Sequence, residues 1–208
     1  LRSCRHPLNT RPAHDRQRPR DLGGKVGPRF GGVRFLVDFD EGDAVVTRSF
    51  ELRKMSEPCA GSMWMINDLG WDEITEFPVL GDTEVWNFVN RSGTVHPMHL
   101  HLEMFQILDR QPFDVVGGEI VPVGPRVPPA ANEAGWKDTV AVQPFEIVRV
   151  IVRFEDYAGL YPYHCHILEH EDHEMMRQFE TRPRAIFADG FETGGTCEWS
   201  ATVGGPGC

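Results

Sequence analysis

The chain has no long run of apolar residues and no stretch with the period of a long amphipathic helix. A membrane-spanning helix needs about 20 consecutive apolar residues, so the sequence predicts no membrane span. Sixteen prolines and 21 glycines instead divide the 208 residues into short segments. Because these residues separate strands and turns, the composition favours one β-rich domain with tails.

Residues 1–32 have little apolar content, and no basic leader followed by an apolar run begins the chain. They contain eight Lys or Arg and two Asp, whereas the whole chain carries a formal charge of −10. Such an arm cannot offset the entropy of ordering, so we predict a disordered lead-in. It lacks interleaved aromatic residues and the remainder is acidic, which argues against nucleic-acid binding.

None of the five cysteines forms a C-x-x-C pair, so the paired thiols of many structural zinc sites are missing. Cys197 and Cys208 lie in a Gly-rich tail at 183–208. They either close a small disulfide loop in an oxidising compartment or stay unpaired. The run at 187–194 is similar to tail segments of secreted bacterial proteins, which favours a secreted or periplasmic location.

From residue 33 onward, short apolar or alternating runs are separated by turn residues. This pattern predicts strands at 33–39, 45–52, 63–66, 84–90, 98–108, 140–142, 147–154, 160–164 and 176–181. The one predicted helical turn is at 167–172, and 117–135 is predicted to be a long loop. Many short strands without a long helix predict an all-β Greek-key sandwich or barrel over 33–182.

Seven of the nine histidines fall in two windows, 96–101 and 164–175. Residues two apart on a strand share a face, so His99 and His101 point the same way, as do His164 and His166. Cys165 points to the opposite side from its two neighbours. This alternation predicts two metal sites separated by one strand.

The ligands available to Cys165 favour copper over zinc. One thiolate, two imidazoles and a weak axial thioether make the blue-copper electron-transfer arrangement. His96, His170 and Met175 complete that set. Zinc is the alternative metal, but structural zinc prefers four strong Cys or His ligands, and the second window offers one cysteine.

These segments resemble the copper-binding motifs of the multicopper oxidases. H-P-x-H-x-H occurs at 96–101 and H-C-H-x₃-H-x₄-M at 164–175, both without a gap. The flanking runs at 91–101, 108–114, 135–140 and 163–176 are similar to the branch of bacterial spore-coat laccases and bilirubin oxidases. The resemblance implies a cupredoxin fold and the third, C-terminal domain of a three-domain enzyme.

The resemblance also implies a role for each ligand. The proposed type 1 copper ligands are His96, Cys165, His170 and Met175. The ligands of the other coppers are His99 for type 2 and His101, His164 and His166 for type 3. Glu171 matches an acidic residue that delivers protons during dioxygen reduction in the family. The other interpretation of Glu171 is an ordinary solvated acid at the surface.

The chain departs from the family in one respect. A trinuclear cluster in this family takes eight histidines, four of them from two H-x-H motifs in an N-terminal domain. No H-x-H motif other than those at 99–101 and 164–166 occurs here. The resemblance therefore implies missing N-terminal cupredoxin domains or a partner chain.

The implied reaction begins with a small aromatic reducing substrate that gives up single electrons at His170. The electrons pass through Cys165 to His164 and His166, and the trinuclear site reduces dioxygen to water. A phenol- or bilirubin-oxidising enzyme is therefore the expected function. The alternative is a copper-binding or electron-transfer module, or a gene fragment, without oxidase activity of its own.

Overall fold

The computed structural model describes residues 39–57 and 61–184. The predicted lead-in at 1–32, the predicted strand at 33–39 apart from Phe39, and the tail beyond residue 184 lie outside the described residues. Cys197 and Cys208 lie there too, and so does the run at 187–194. No helix in the described part is long and apolar enough to cross a membrane.

The described chain is almost entirely β-structure. The strands are β1 (Ala44–Glu57), β2 (Gly61–Ile66), β3 (Thr83–Asn90), β4 (His96–Leu100), β5 (Phe105–Val116), β6 (Glu119–Pro122), β7 (Trp136–Lys137), β8 (Thr139–Val142), β9 (Glu146–Arg153), β10 (Gly159–Cys165) and β11 (Met176–Thr181). A 3-10 turn at Glu41–Asp43 precedes them, and α1 (Leu168–Glu171) follows β10. The predicted all-β class is confirmed.

Two predicted segments need correction. The single strand expected at 98–108 is two strands, β4 and β5, because the chain turns between them: Leu102 has a φ of 71°, and Glu103 N–H donates to His101 O over 2.9 Å. The loop expected at 117–135 contains β6, which folds back antiparallel onto β5. Alternating apolar residues continue through the first turn and conceal it. The second turn carries Gly117-Gly118, a two-residue hairpin signal that the predicted loop did not take into account.

The strands form two sheets. The larger sheet has the order β2-β1-β3-β9-β5-β6, with β7 also paired to β5. The smaller sheet has the order β11-β10-β4-β8. β1 and β3 are parallel, so the chain crosses over between them, whereas the other strand pairs are antiparallel.

An aromatic core joins the two sheets. Trp86 on β3 lies 4.6 Å from Phe50, 5.5 Å from Tyr163 and 5.7 Å from Phe179, measured between ring centroids. Tyr163 and Phe179 belong to the smaller sheet, and all four rings are fully buried. Such large rings contribute much of the burial energy of a small domain. Because Tyr163 is fixed in this core, the residues that follow it on β10 are fixed as well.

A buried polar network ties the segment between β2 and β3 to β10. Arg177 on β11 is fully buried, and its Nη1 donates to Glu76 Oε1 over 3.2 Å and to the Tyr163 hydroxyl over 2.7 Å. Its Nη2 donates to Glu73 O over 2.6 Å and to Thr75 Oγ1 over 2.9 Å. The guanidinium thereby compensates the buried carboxylate of Glu76.

We predict that Arg177→Met lowers the free energy of unfolding by about 3–5 kcal/mol, because it leaves the Glu76 carboxylate without its buried partner. Urea denaturation followed by tryptophan fluorescence measures the change. Arg153→Met is the matched control, since the Arg153–Glu155 pair is 3.6 Å apart with Arg153 46% exposed. That control should cost at most about 1 kcal/mol. Equal losses for the two variants would contradict the prediction.

Candidate metal centre

The pairing of β10 with β4 brings the two histidine windows together. His164 lies opposite His99, and Cys165 lies opposite Met98. Because side chains alternate along a strand, Cys165 enters the apolar core between the sheets, whereas His164 faces the other way. The structure therefore places two groups of donor atoms on opposite sides of β10.

The first group consists of His96, Cys165 and His170, all buried. Cys165 Sγ lies 3.5 Å from His96 Nδ1 and 3.6 Å from His170 Nδ1, and the two nitrogens are 3.2 Å apart. The point equidistant from the three atoms lies about 2.0 Å from each, which is close to metal–nitrogen and metal–sulfur bond lengths of about 2.0–2.3 Å. The three donors fit a metal in a trigonal plane.

The loop after Cys165 brings the backbone of Met175 back to Cys165 and His170. α1 begins where the N–H groups of His170 and Glu171 donate to Ile167 O, each over 2.9 Å. Met175 N–H then donates to His170 O over 3.0 Å, and Cys165 N–H donates to Met175 O over 3.0 Å. Met175 is fully buried. A single helical turn therefore brings the cysteine, histidine and methionine of the second window together.

Burial makes this donor set neutral in the metal-free protein. It lowers the pKa of His96 to about 4, with the neighbouring His170 as the second cause, and it also lowers the pKa of His170. Burial raises the pKa of Cys165 to about 11. The imidazoles are thus ready to bind a metal at neutral pH, whereas the thiol must release its proton.

The second group consists of His99, His101 and His164, whose donor atoms lie within 4.8 Å of one another. His99 Nδ1 lies 3.0 Å from Asp138 O, a group that only accepts, so Nδ1 carries the proton and Nε2 is free. His101 Nε2 and His164 Nε2 face each other at 3.1 Å. The ring nitrogens of the three histidines that could bind a metal therefore converge here.

His166 and Glu171 flank this second group. The exposed His166 ring lies 5.4 Å from that of His99 and 5.3 Å from that of His164, measured between centroids. Glu171 Oε2 lies 3.3 Å from His164 Nδ1, which also lies 3.2 Å from Cys165 O. Both acceptors stand at Nδ1, so the proton of His164 sits there and its Nε2 is free. Every predicted metal-site residue is thus found at one of the two groups.

Two residues that contact the first group, Trp64 and Ser92, were not predicted from the sequence. The Trp64 ring lies 4.1 Å from that of His170 and 5.1 Å from that of His96, measured between centroids. Ser92 Oγ lies 2.8 Å from His96 Nε2. Ser92 precedes the first window by four residues, whereas Trp64 carries no sequence signal, because only the docking of β2 against the loop after α1 brings it there.

Comparisons with known proteins assign the chain to a family. The family model described as "Multicopper oxidase" matches residues 56–185. A laccase from Bacillus subtilis (strain 168) is 41% identical over 138 residues, which cover 64% of this chain and 27% of that laccase. A laccase from Bacillus stratosphericus is 50% identical over 113 residues, covering 52% of this chain and 22% of its own length. The chain spans about a quarter of the length of these relatives.

Solved structures show the same likeness. The McoA multicopper oxidase of the hyperthermophile Aquifex aeolicus matches with a TM-score of 0.55 and 30% identity, over 71% of this chain and 31% of that one. A laccase from Pediococcus acidilactici matches with a TM-score of 0.52 and 32% identity, over 69% of this chain and 28% of that one. The chain has the cupredoxin fold and belongs to the multicopper oxidase family.

Proposed function

We propose that this chain, with its domain at 33–182, is the C-terminal copper-binding domain of a laccase-like multicopper oxidase. The single observation that carries the proposal is the buried triangle of His96 Nδ1, Cys165 Sγ and His170 Nδ1, with edges of 3.2–3.6 Å. Met175 is fully buried, and its backbone is hydrogen-bonded to Cys165 and His170. Its thioether would add the weak fourth ligand and complete the donor set of type 1 copper.

The second group would provide half of the ligands of a trinuclear copper site. His99 would be a type 2 ligand, and His101, His164 and His166 would be type 3 ligands. Their rings lie close together; His164 is buried, His99 and His101 are half-buried, and His166 is exposed. The remaining ligands would come from N-terminal cupredoxin domains or a partner chain, consistent with the quarter of the relatives' length that this chain spans.

Copper held at these positions would supply one-electron redox chemistry and, at a complete trinuclear cluster, the reduction of dioxygen to water. The protein supplies the connection between the two groups. Cys165 belongs to the first group, and single peptide bonds join it to His164 and His166 of the second. The hydrogen bond of 3.2 Å between His164 Nδ1 and Cys165 O adds a second path.

His170 is the place where a small aromatic reducing substrate would approach. It is 8% exposed, whereas His96 and Cys165 are fully buried, so it is the donor in the trigonal plane that comes nearest to solvent. The Trp64 indole covers one face of its ring at 4.1 Å. A phenolic or bilirubin-like substrate would transfer its electron at the remaining edge of the imidazole.

Glu171 would deliver protons to the second group. Its Oε2 lies 3.3 Å from His164 Nδ1, and its side chain is 23% exposed. The carboxylate therefore contacts both a ligand of the proposed trinuclear site and solvent. A proton taken up from water at Oε2 would be held 3.3 Å from the ring of His164, next to the proposed trinuclear site.

We predict that the copper-loaded chain shows the intense visible absorption of a copper–thiolate bond, and that Cys165→Ser abolishes it, because only sulfur gives this charge transfer. Absorption spectroscopy after anaerobic copper titration measures the band. Cys59→Ser is the control and should keep it, since that cysteine lies outside both histidine windows. A wild-type protein that binds copper without colour would contradict the type 1 assignment.

Copper affinity should rise with pH. The pKa of Cys165 is raised to about 11 and that of His96 is lowered to about 4. At intermediate pH the thiol is therefore protonated and His96 neutral, so binding releases the thiol proton. The apparent Kd should fall about tenfold per pH unit between about pH 5.5 and 7.5. Competition with a chelator measures this slope, and Cys165→Ser should flatten it. An equally steep slope in that variant would contradict this origin of the proton.

We expect the isolated chain to bind copper without reducing dioxygen, because the second group has only half of a trinuclear ligand set. This expectation is shared with the alternative function, a copper-binding or electron-transfer module. An oxygen electrode with a phenolic dye as reductant measures the activity of the wild type and of His166→Ala. The two rates should be equal and at background. Copper-dependent uptake that His166→Ala eliminates would show that an assembly of chains completes the site.

A further inference from the structure

Ser92 lies at a buried polar junction on the side of His96 that faces away from Cys165. Its Oγ is 2.8 Å from His96 Nε2, while His96 Nδ1 faces the thiol at 3.5 Å. Ser92 is 7% exposed, and Asn90, at the end of β3, is fully buried. Polar groups buried this deeply need defined hydrogen-bond partners.

The amide of Asn90 has a fixed orientation. Its Nδ2 donates to Thr94 O over 2.8 Å and to Val142 O over 3.0 Å. Its Oδ1 therefore faces Ser92, and it accepts the Ser92 N–H over 2.9 Å. The reverse orientation would place an NH₂ group against this N–H and leave two carbonyls without their donor.

The serine hydroxyl has one proton and two acceptors that compete for it. Oγ lies 2.8 Å from Asn90 Oδ1 and 3.1 Å from Thr94 O, and neither of those atoms can donate. Oγ also accepts the Thr94 N–H over 3.2 Å. The contacts of Oγ with Asn90 Oδ1 and with His96 Nε2 are both 2.8 Å, and each needs one proton between its two atoms. The hydroxyl supplies one of these protons and Asn90 Oδ1 has none, so a proton on His96 Nε2 satisfies both contacts.

We propose that Ser92, held by Asn90, is a positioning residue that fixes His96 as the Nε2–H tautomer and so directs the Nδ1 lone pair at the proposed copper. The inference rests on the proposed type 1 site for its functional meaning. The tautomer itself is a property of the metal-free chain, so it can be measured without copper.

This hydrogen bond has consequences for a bound metal. An acceptor at Nε2–H makes Nδ1 a stronger donor, and a stronger donor stabilises Cu(II) more than Cu(I). Ser92 should therefore raise copper affinity and lower the reduction potential of the site. Loss of such an outer hydrogen bond typically costs about 10–100-fold in metal affinity.

The first test uses the metal-free wild-type chain with ¹⁵N-labelled histidine at about pH 8, where unperturbed imidazoles are neutral. Long-range ¹H–¹⁵N spectra distinguish the tautomers, and loss of signals in His96→Gln identifies the residue. We expect His96 to be protonated at Nε2. Protonation at Nδ1 in the wild type would overturn the proposal whether or not the chain binds copper.

The second test compares the copper-loaded variants Ser92→Ala and Ser92→Thr. Ser92→Ala should weaken Cu(II) binding about 10–100-fold and raise the potential measured by redox titration, and Ser92→Thr, which keeps the hydroxyl, should restore both. Thr181→Val is the control: Thr181 is buried, lies opposite Gly159 at the far end of the β10–β11 ladder from His164, and its Oγ1 has no hydrogen-bond partner among the described residues.

The outcomes separate the two proposals. If Ser92→Ala only lowers the melting temperature, as a merely structural residue would, and leaves affinity and potential unchanged, the positioning role of Ser92 is wrong. If the wild type shows no copper–thiolate band while His96 is protonated at Nε2, the type 1 assignment fails and the tautomer inference stands.

Discussion

In the pairing of β10 with β4, His164 lies opposite His99 and Cys165 lies opposite Met98. Strand alternation then sends Cys165 into the core and His164 to the other side, so one residue step separates the two donor groups. A shift of one residue in this register would exchange the two faces and destroy both groups. The aromatic packing of Tyr163 against Trp86, at 5.5 Å between ring centroids, holds the register in place.

Burial has opposite consequences for the imidazole donors and the thiol donor of the first group. It keeps His96 neutral, with a pKa of about 4, and ready to bind, but it raises the pKa of the Cys165 thiol to about 11. A metal must therefore provide the free energy for deprotonation, which favours a cation that binds thiolate strongly. The second group is less buried. Hydrogen bonds at ring nitrogens that face away from the group orient its imidazoles, as where His99 Nδ1 donates to Asp138 O over 3.0 Å.

Buried polar groups around the first group hydrogen-bond to His96 and to the strand that carries Cys165, and so hold them in position. Asn90 and Ser92 hold His96 from one side, and the Arg177–Glu76–Tyr163 network holds the strand that carries Cys165. Buried polar groups in these networks are paired with defined partners, which restricts how the strands that carry them can move. The donor side chains of the first group are thus held in place by hydrogen bonds of residues outside the group.

The sequence by itself determined the all-β class, most strands and the residues of both donor groups, because alternation and the spacing of His, Cys and Met are local properties of the chain. The return of β6 onto β5 follows a local signal, the Gly117-Gly118 turn. The turn at Leu102 and the parallel β1–β3 pair were decided only by tertiary structure. So were the contacts of Trp64 and Ser92 with the ligand imidazoles. These features depend on which segments dock against each other, and the apolar pattern within a single segment is the same whichever partner it meets.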